Sequence, residues 1–332
     1  MTFTRLHMYE PLEAWIWVSW ESHRRTESLC KELGMPLFVK TVSFPFILRQ
    51  IYLCCWTVLL VIRIRPKGVI TQNPSIVLAT LAVILRPMFR FRVVVDAHNE
   101  AVTPFIWTSR WVDLLCRYLH GAADVTIVTN EPLAEIVRRN GGRPVILEDK
   151  IPCLTPCRTV PLKGEANIAC ISTFSKDEPI EEIFAAIRNL GQRYHVYMTG
   201  NSNRLAERDS VPLPANLELT GYLPEEEYQI LLNSVDVILD LTLMDNCLVC
   251  GAYEGVALGK PLVLSESSAS RGYFPSGVIH TKNDAAHIHE ALVKAVASRT
   301  ELSEEIVKLR PNLESHWQER KQRLIEVITS PL

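Results

Sequence analysis

Short apolar runs alternate with amphipathic stretches along almost the whole chain. In the first half the runs are 14-AWIWVSW-20, 36-PLFVKT-41, 68-GVITQ-72, 91-FRVVVDAHN-99, 125-VTIVTN-130 and 144-PVILED-149. Between them, helical spacing of apolar positions covers about 23–34, 45–62, 75–86, 106–120 and 131–140. Strands that are apolar on both faces, separated by helices, predict a parallel sheet covered on both sides.

The segment 150-KIPCLTPCRTVPLKGEAN-167 has three prolines, one glycine and no periodicity, so it reads as a linker. The alternation then restarts with 167-NIACIST-173, 194-YHVYMTG-200, 217-LELTGYL-223, 235-VDVILDLT-242, 261-PLVLSE-266 and 277-GVIHT-281. Helices are expected near 178–190, from 224, from 250 and near 284–299. Pro224 before Glu225, Glu226 and Glu227 marks a helix start, with proline in the first turn and acids facing the positive dipole end. The tail 303–329 reads as one or two helices, broken near Pro311.

The expected plan is an N-terminal domain over 1–150, a linker over 151–165 and a C-terminal domain over 166–302. Helices in 303–332 are expected to pack back toward the first domain. Both domains are α/β, Rossmann-like and doubly wound, and are expected to face one another across a cleft. Ligands of such sheets bind at the carboxyl ends of the strands, so the loops after strands carry the candidate chemistry.

Composition adds three constraints. At 332 residues and 48% hydrophobic, the chain is globular and larger than one core usually holds. The net charge of −2 divides unevenly: residues 1–150 hold 18 Lys/Arg against 13 Asp/Glu, and the remainder is acidic. A basic first half favours an anionic partner. Nine cysteines are an odd number with no disulfide framework in their spacing, and MTFTRLHMYEPLEAW has no secretory pattern, so a reducing cytoplasmic setting is expected. Cys153/Cys157 and Cys247/Cys250 read as half-buried thiols ahead of a zinc or redox site.

The most apolar stretch, 51-IYLCCWTVLLVI-62, is bracketed by Arg49 and by Arg63, Arg65 and Lys67. Its uncharged length falls short of the ~20 residues that span a bilayer. Two readings stand: a helix buried on the sheet, or a helix over 49–67 lying on a membrane surface with its basic ends at anionic headgroups.

In 250-CGAYEGVALGKPLVLSE-266 a helix begins among small residues. Cys250 and Gly251 bring backbone close to a ligand, and the helix start offers N–H groups to a diphosphate. Glu254, one turn in, is suited to accept hydrogen bonds from two ribose hydroxyls; the structural alternative is a first-turn acid on the helix dipole. In 171-ISTFSKDEP-179, Ser172, Thr173 and Lys176 offer donors to phosphate, or the loop is merely a helix cap. In 198-MTGNSNRLAER-208, Gly200 allows a tight turn, and Asn201 and Arg204 are polar donors, or the loop is ordinary surface.

The runs 173-TFSKDEP-179, 197-YMTGN-201, 221-GYLPEEEYQILLNSVDVIL-239 and 252-AYEGVALGKPLVLSE-266 together resemble the nucleotide-sugar half of GT-B glycosyltransferases, most of all the retaining family 4. They are also similar to the mannosyltransferases that extend chitobiosyl-diphosphodolichol. The resemblance covers about 165–300 well and the first half loosely. It implies that Glu254 binds the donor ribose, and that Gly251 and a basic residue near Lys176 or Arg204 contact the diphosphate. Tyr222 joins this donor set. The family's E-x7-E pattern is altered: Asn246 stands where the first acid is expected, beside Asp245. That leaves the sugar and the retaining outcome open, with Asn246 a candidate at the reacting sugar.

In the first domain, 19-SWESHRRTES-28 lacks the family's glycines but crowds Glu21, His23, Arg24 and Arg25 at a strand end. The arginines are candidates for an acceptor's phosphate, or are solvated residues at a helix start. In 95-VDAHNEA-101, Asp96, His98 and Asn99 leave an apolar core run, where the similar mannosyltransferases carry DWHN. His98 is a candidate general base on the acceptor, an orienting group for the donor, or a helix cap; Asp96 stands with it and Asn99 on the acceptor side.

The resemblance thus implies a transferase with no cofactor, and a metal-independent one is expected because no DxD-like acidic pair ends a strand in a suitable loop. Its partners are a UDP-, GDP- or TDP-sugar and a polyprenyl-diphosphate-linked glycan acceptor, with no nucleic acid. The expected place is the cytoplasm, peripheral on the inner membrane face, in cell-surface polysaccharide synthesis. The rival readings are a GT-B epimerase or phosphorylase, and a non-catalytic glycosyltransferase-like partner subunit.

Overall fold

The computed structural model describes residues 12–73, 75–97, 99–103, 109–154, 158–207 and 212–330. The chain divides after Lys150 and again after Ser315 into two compact units, the last stretch rejoining the first unit.

The first unit holds β1 (Trp15–Ser19), α1 (Arg24–Leu33), β2 (Leu37–Val39), α2 (Phe46–Ile64), β3 (Gly68–Asn73) and α3 (Ile76–Phe89). It continues with β4 (Arg92–Ala97), α4 (Asn99–Val102), α5 (Arg110–Ala122), β5 (Val125–Val128), α6 (Glu131–Arg139) and β6 (Pro144–Ile146). Its six strands are parallel in the order β2-β1-β3-β4-β5-β6. The chain moves one way from β1 to β2 and the other way from β2 to β3 onward. Right-handed crossovers therefore put α1 on one face and α2, α3, α5 and α6 on the other.

The two cores follow from this. Ile16, Val18, Val69, Val93 and Val95 pack under α2, α3, α5 and α6. Trp15, Trp17, Ile70, Val94 and Ile127 face α1 together with Trp317, Leu324 and Ile328 from the end of the chain.

α2 departs from one of its two expectations. It runs for 19 residues with high mean hydropathy, long and apolar enough by composition to cross a membrane, yet little of it is buried. Only Leu53, Thr57 and Val61 are enclosed. The helix extends past Arg49 and Arg63 because long cationic side chains tolerate a helix interior and reach outward. The buried-helix reading is thereby corrected.

The second unit holds β7 (Ala166–Cys170), α7 (Ile180–Asn189), β8 (Tyr194–Thr199), β9 (Leu217–Gly221), α8 (Glu225–Ser234) and β10 (Val237–Asp240). Then come α9 (Cys250–Leu258), β11 (Leu262–Ser265), α10 (Ser268–Tyr273), β12 (Val278–Thr281), α11 (Ala285–Ala297) and α12 (Arg299–Thr329). The parallel sheet runs β12-β11-β10-β7-β8-β9. α7 and α11 cover one face; α8, α9 and the first part of α12 cover the other.

The tail is one helix of 31 residues with Pro311 inside it, not a pair broken there. Proline removes one backbone bond, but the helix is anchored on both sides of it. Ile306 and Leu309 are buried in the second unit's core, and Trp317 in the first unit donates Nε1 to the Glu148 carbonyl at 3.0 Å. The short helices α4 and α10 and a 3-10 turn over Ser202–Glu207 carry too few residues to show a period.

Candidate functional site

In the second sheet β7 lies between β10 and β8. The chain leaves β7 in one direction and returns to the other side, so the loops after β7 and β10 part there and open the usual ligand position of a doubly wound sheet.

The loop after β7 is built around one carboxylate. Glu178 Oε1 accepts the Thr173 amide at 2.8 Å and the Thr173 hydroxyl at 2.7 Å. Its Oε2 accepts the Ser172 hydroxyl at 2.5 Å and the Phe174 amide at 3.0 Å. The expected phosphate donors Ser172 and Thr173 therefore already serve an internal anion, a correction to their role. Phe174 sits in the left-handed region with φ 55°, a conformation costing about 1–3 kcal/mol that only surrounding structure maintains. Its ring is buried, and the bonds to Glu178 hold its amide.

The loop after β8 presses on this one. Gly200 has φ 107°, and a Cβ there would lie 2.1 Å from the Ser172 carbonyl oxygen. Asn201 is exposed and starts the 3-10 turn, its Oδ1 accepting from the Asn203 amide at 3.2 Å. Arg204 is exposed and reaches back to the Thr173 carbonyl at 3.2 Å. Lys176 is exposed on the first loop. The two cations thus stand on neighbouring loops.

At the start of α9, Gly251 is buried and its amide donates to Asp240 Oδ2 at 2.8 Å. This corrects the expectation that it would serve a diphosphate. The carboxylate ending β10 occupies the positive end of the helix, where an acid is favoured. The glycine is needed for close packing: a Cβ would lie 2.5 Å from Ile171 Cδ1 and 2.6 Å from Asp240 Oδ2. Burial, with added repulsion from Glu178, Glu254 and Asp177, holds the Asp240 carboxyl well above its ordinary value.

Glu254 lies one turn into α9 and is 9% exposed. Tyr228, on α8, donates its hydroxyl to Glu254 Oε2 at 2.5 Å. Burial, then the neighbouring carboxylate, pushes the Tyr228 phenol far up, so it stays a donor. Cys250 is exposed beside this turn, Asn246 is half-buried in the preceding loop, and Tyr222, after β9, is 88% exposed. Neither Cys247 nor Cys250 forms a disulfide. Among the described residues no three His, Cys, Asp or Glu side chains are arranged to hold a metal ion.

Tyr228, Asp240 and Glu178 carry this geometry without having been candidates. Tyr228 stands among the three acids of a helix start, Asp240 looks like a strand-end residue, and Glu178 looks like first-turn dipole compensation. Nothing local distinguishes them.

In the first unit, Arg25 and Asp96 are corrected together. Arg25 is buried, its Nη2 donating to Asp96 Oδ1 at 2.9 Å and to the Leu147 carbonyl at 2.8 Å, its Nη1 to Asp149 at 2.6 Å. Asp96 is fully enclosed. This buried guanidinium has its charge balanced inside the fold by two carboxylates, and the network ties α1 to β4 and to the chain after β6. Arg24 and His23 are exposed at the start of α1; Glu21 is exposed and bonded to Arg49 at 2.8 Å. Asn99 opens α4, its Nδ2 buried and without a hydrogen-bond partner. His98 lies outside the described residues.

Two six-stranded parallel sheets, each covered by helices and each with a reversal of strand order, match solved structures over nearly the whole chain. The structure of Anabaena HepE in complex with UDP-glucose superposes with a TM-score of 0.74 at 11% identity, covering 96% of this chain and all of that one. The fold is GT-B. A sucrose-phosphate synthase from Thermosynechococcus elongatus gives a TM-score of 0.73 at 13% identity, covering 94% of this chain and 97% of that one. A third structure, S. aureus MnaA with UDP, gives a TM-score of 0.62 at 11% identity, with 95% of each chain covered. No protein-family model matches the sequence, and no curated protein matches it.

Proposed function

We propose that this protein transfers a sugar from a nucleoside-diphosphate donor to a polyprenyl-diphosphate-linked glycan acceptor held at the inner face of the cytoplasmic membrane, in cell-surface polysaccharide synthesis. The observation that carries the reading is Glu254, nearly enclosed one turn into α9 and fixed by Tyr228 at 2.5 Å. An ionised carboxylate only accepts hydrogen bonds, through two oxygens, which is the chemistry that a pair of ribose hydroxyls requires.

Lys176 and Arg204 are assigned the charge of the leaving diphosphate, stabilising it as the bond to the sugar breaks. No metal is invoked: Asp240, the acid that ends β10, spends its carboxylate on the Gly251 amide. Exposed Tyr222 is assigned the nucleoside, and Asn246 the sugar. Arg24, with Glu21 and His23 beside it, is assigned the acceptor side together with Asn99, and His98 the acceptor's hydroxyl proton. The UDP and UDP-glucose named for the similar chains support a nucleotide-sugar donor.

The test is thermal stabilisation by UDP, GDP, TDP and ADP. A nucleotide at a hundred times its Kd should add about 2.7 kcal/mol, and Glu254→Ala should abolish the shift. If none of the four responds, the reading fails. Asn246 in place of an acid favours a second reading as an epimerase of sugar nucleotides. Conversion of the donor's sugar without release of nucleotide, followed by NMR, would select it.

A further inference from the structure

We propose that the outer face of α2, α3 and α5 together is a docking surface for an anionic lipid bilayer, the helices lying in the headgroup layer and none of them crossing it. This enlarges a contact confined to 49–67 into a three-helix footprint, and it stands independently of the sugar donor.

The three helices are neighbours on one face of the first sheet, α2 against α3 and α3 against α5. On α2, Leu53, Thr57 and Val61 point inward. Ile51, Leu59 and Ile62, roughly half a turn around, are 57%, 66% and 46% exposed. An outward face of a soluble helix is normally polar; here it is as apolar as the inward one. α3 repeats the pattern with exposed Val77, Ile84 and Met88 at helical spacing, and α5 with Trp111, Leu114 and Tyr118. Exposed apolar residues scattered singly need no explanation. A stripe on each of three adjacent helices forms a contiguous patch, which marks an interaction surface.

Charge selects the occupant. α2 and α3 each precede a strand of the same parallel sheet, so their C-terminal ends lie at one edge. Arg63, Arg65 and Lys67 follow there from α2 and Arg90 from α3, all exposed. Arg110 and Arg117 are exposed on α5. Apolar stripes with a cationic rim match acyl chains below anionic headgroups, and Trp111 and Tyr118 are the residue types that favour that boundary. A second copy packed on the same face by two-fold symmetry would bring like cations together.

Topology excludes a spanning α2 despite its length. The helix joins β2 to β3, and both strands belong to one sheet, so its two ends stay on the same side of any bilayer. A depth of about 5–10 Å is what an interfacial helix reaches.

The experiment is flotation of the full chain with phosphatidylcholine vesicles, with and without phosphatidylglycerol. The protein should float with the anionic vesicles and be released by salt. Ile51→Glu with Leu59→Glu, and separately Met88→Glu with Trp111→Glu, should each lower the partition coefficient at least about tenfold. Arg63→Glu should lower it about fivefold or more. All replaced side chains are exposed, so circular dichroism should show the wild-type melting. Failure to float, or flotation unchanged in the α3/α5 variant, overturns the three-helix surface. So does a dimer in light scattering that the same substitutions break. Nucleotide thermal shifts on the same samples keep the two proposals apart: a chain that floats and ignores nucleotides loses only the transferase.

Discussion

The Tyr228 hydroxyl sits 2.5 Å from Glu254 Oε2, joining α8 to the first turns of α9. Two helices on one face of the second sheet are tied there, and the bond fixes the orientation of the Glu254 carboxylate. A hydrogen bond to a charged group contributes about 1.5–3 kcal/mol. Tyr228→Phe should lower stability by about that amount in urea unfolding. It should also weaken nucleoside-diphosphate binding without abolishing it, because Glu254 remains but is less firmly aimed. Unchanged stability would remove the bond from the account.

Arg24 and Arg25 are adjacent and chemically identical, and the structure separates them. Removing one partner of a buried ion pair costs about 3–5 kcal/mol, so Arg25→Ala should be severely destabilising. Arg24→Ala should stay within about 0.5 kcal/mol and, on the proposed assignment, impair acceptor use alone. Equal effects of the two substitutions in chemical denaturation would overturn the buried network.

The raised Asp240 carboxyl sets a pH dependence. In the unfolded chain it loses its proton near the ordinary value of 3.8; in the native state it keeps the proton to higher pH. The native state therefore binds more protons in that window, and its stability falls as pH rises from about 4 toward the folded value. Asp240→Asn keeps an acceptor for the Gly251 amide and removes the titration. The variant should gain on wild type as pH rises, read as the difference in unfolding midpoints at pH 5 and pH 8. A constant difference would remove Asp240 as its source.

Gly200 stands where two loops meet. Alanine there would carry both the strain of φ 107° and a Cβ 2.1 Å from the Ser172 carbonyl oxygen. The expected cost is about 2–3 kcal/mol or more. Protease cleavage within 171–178 should rise as the loop around Glu178 loosens. Wild-type stability in Gly200→Ala would show that the two loops are not pressed together.

Much of this was legible in order and not in partners. The apolar runs predicted every strand among the described residues, because most of these strands are buried on both faces and need uninterrupted apolar residues, while the helices between them need a period. The position of Glu254 was conspicuous too, an acid among small residues at a helix start, although its burial was not. Its partner was not, since Tyr228 lies 26 residues away on a helix whose sequence advertises only its acids. α2 was half legible. Its apolar length was plain, but which face is covered depends on what packs against it, and a helix apolar all round gives no sign.

The sequence alone determined the succession of elements and the positions where loops leave the strands, because hydrophobic periodicity and helix-start chemistry act over a few residues. Only the tertiary structure decided which of two neighbouring arginines is buried, that Glu178 and Asp240 occupy donors expected for phosphate, and which helix faces remain uncovered. Those outcomes depend on strand order. Arg25 meets Asp96 across 71 residues of chain because β1 and β4 end on the same edge of one sheet, a contact no local pattern encodes.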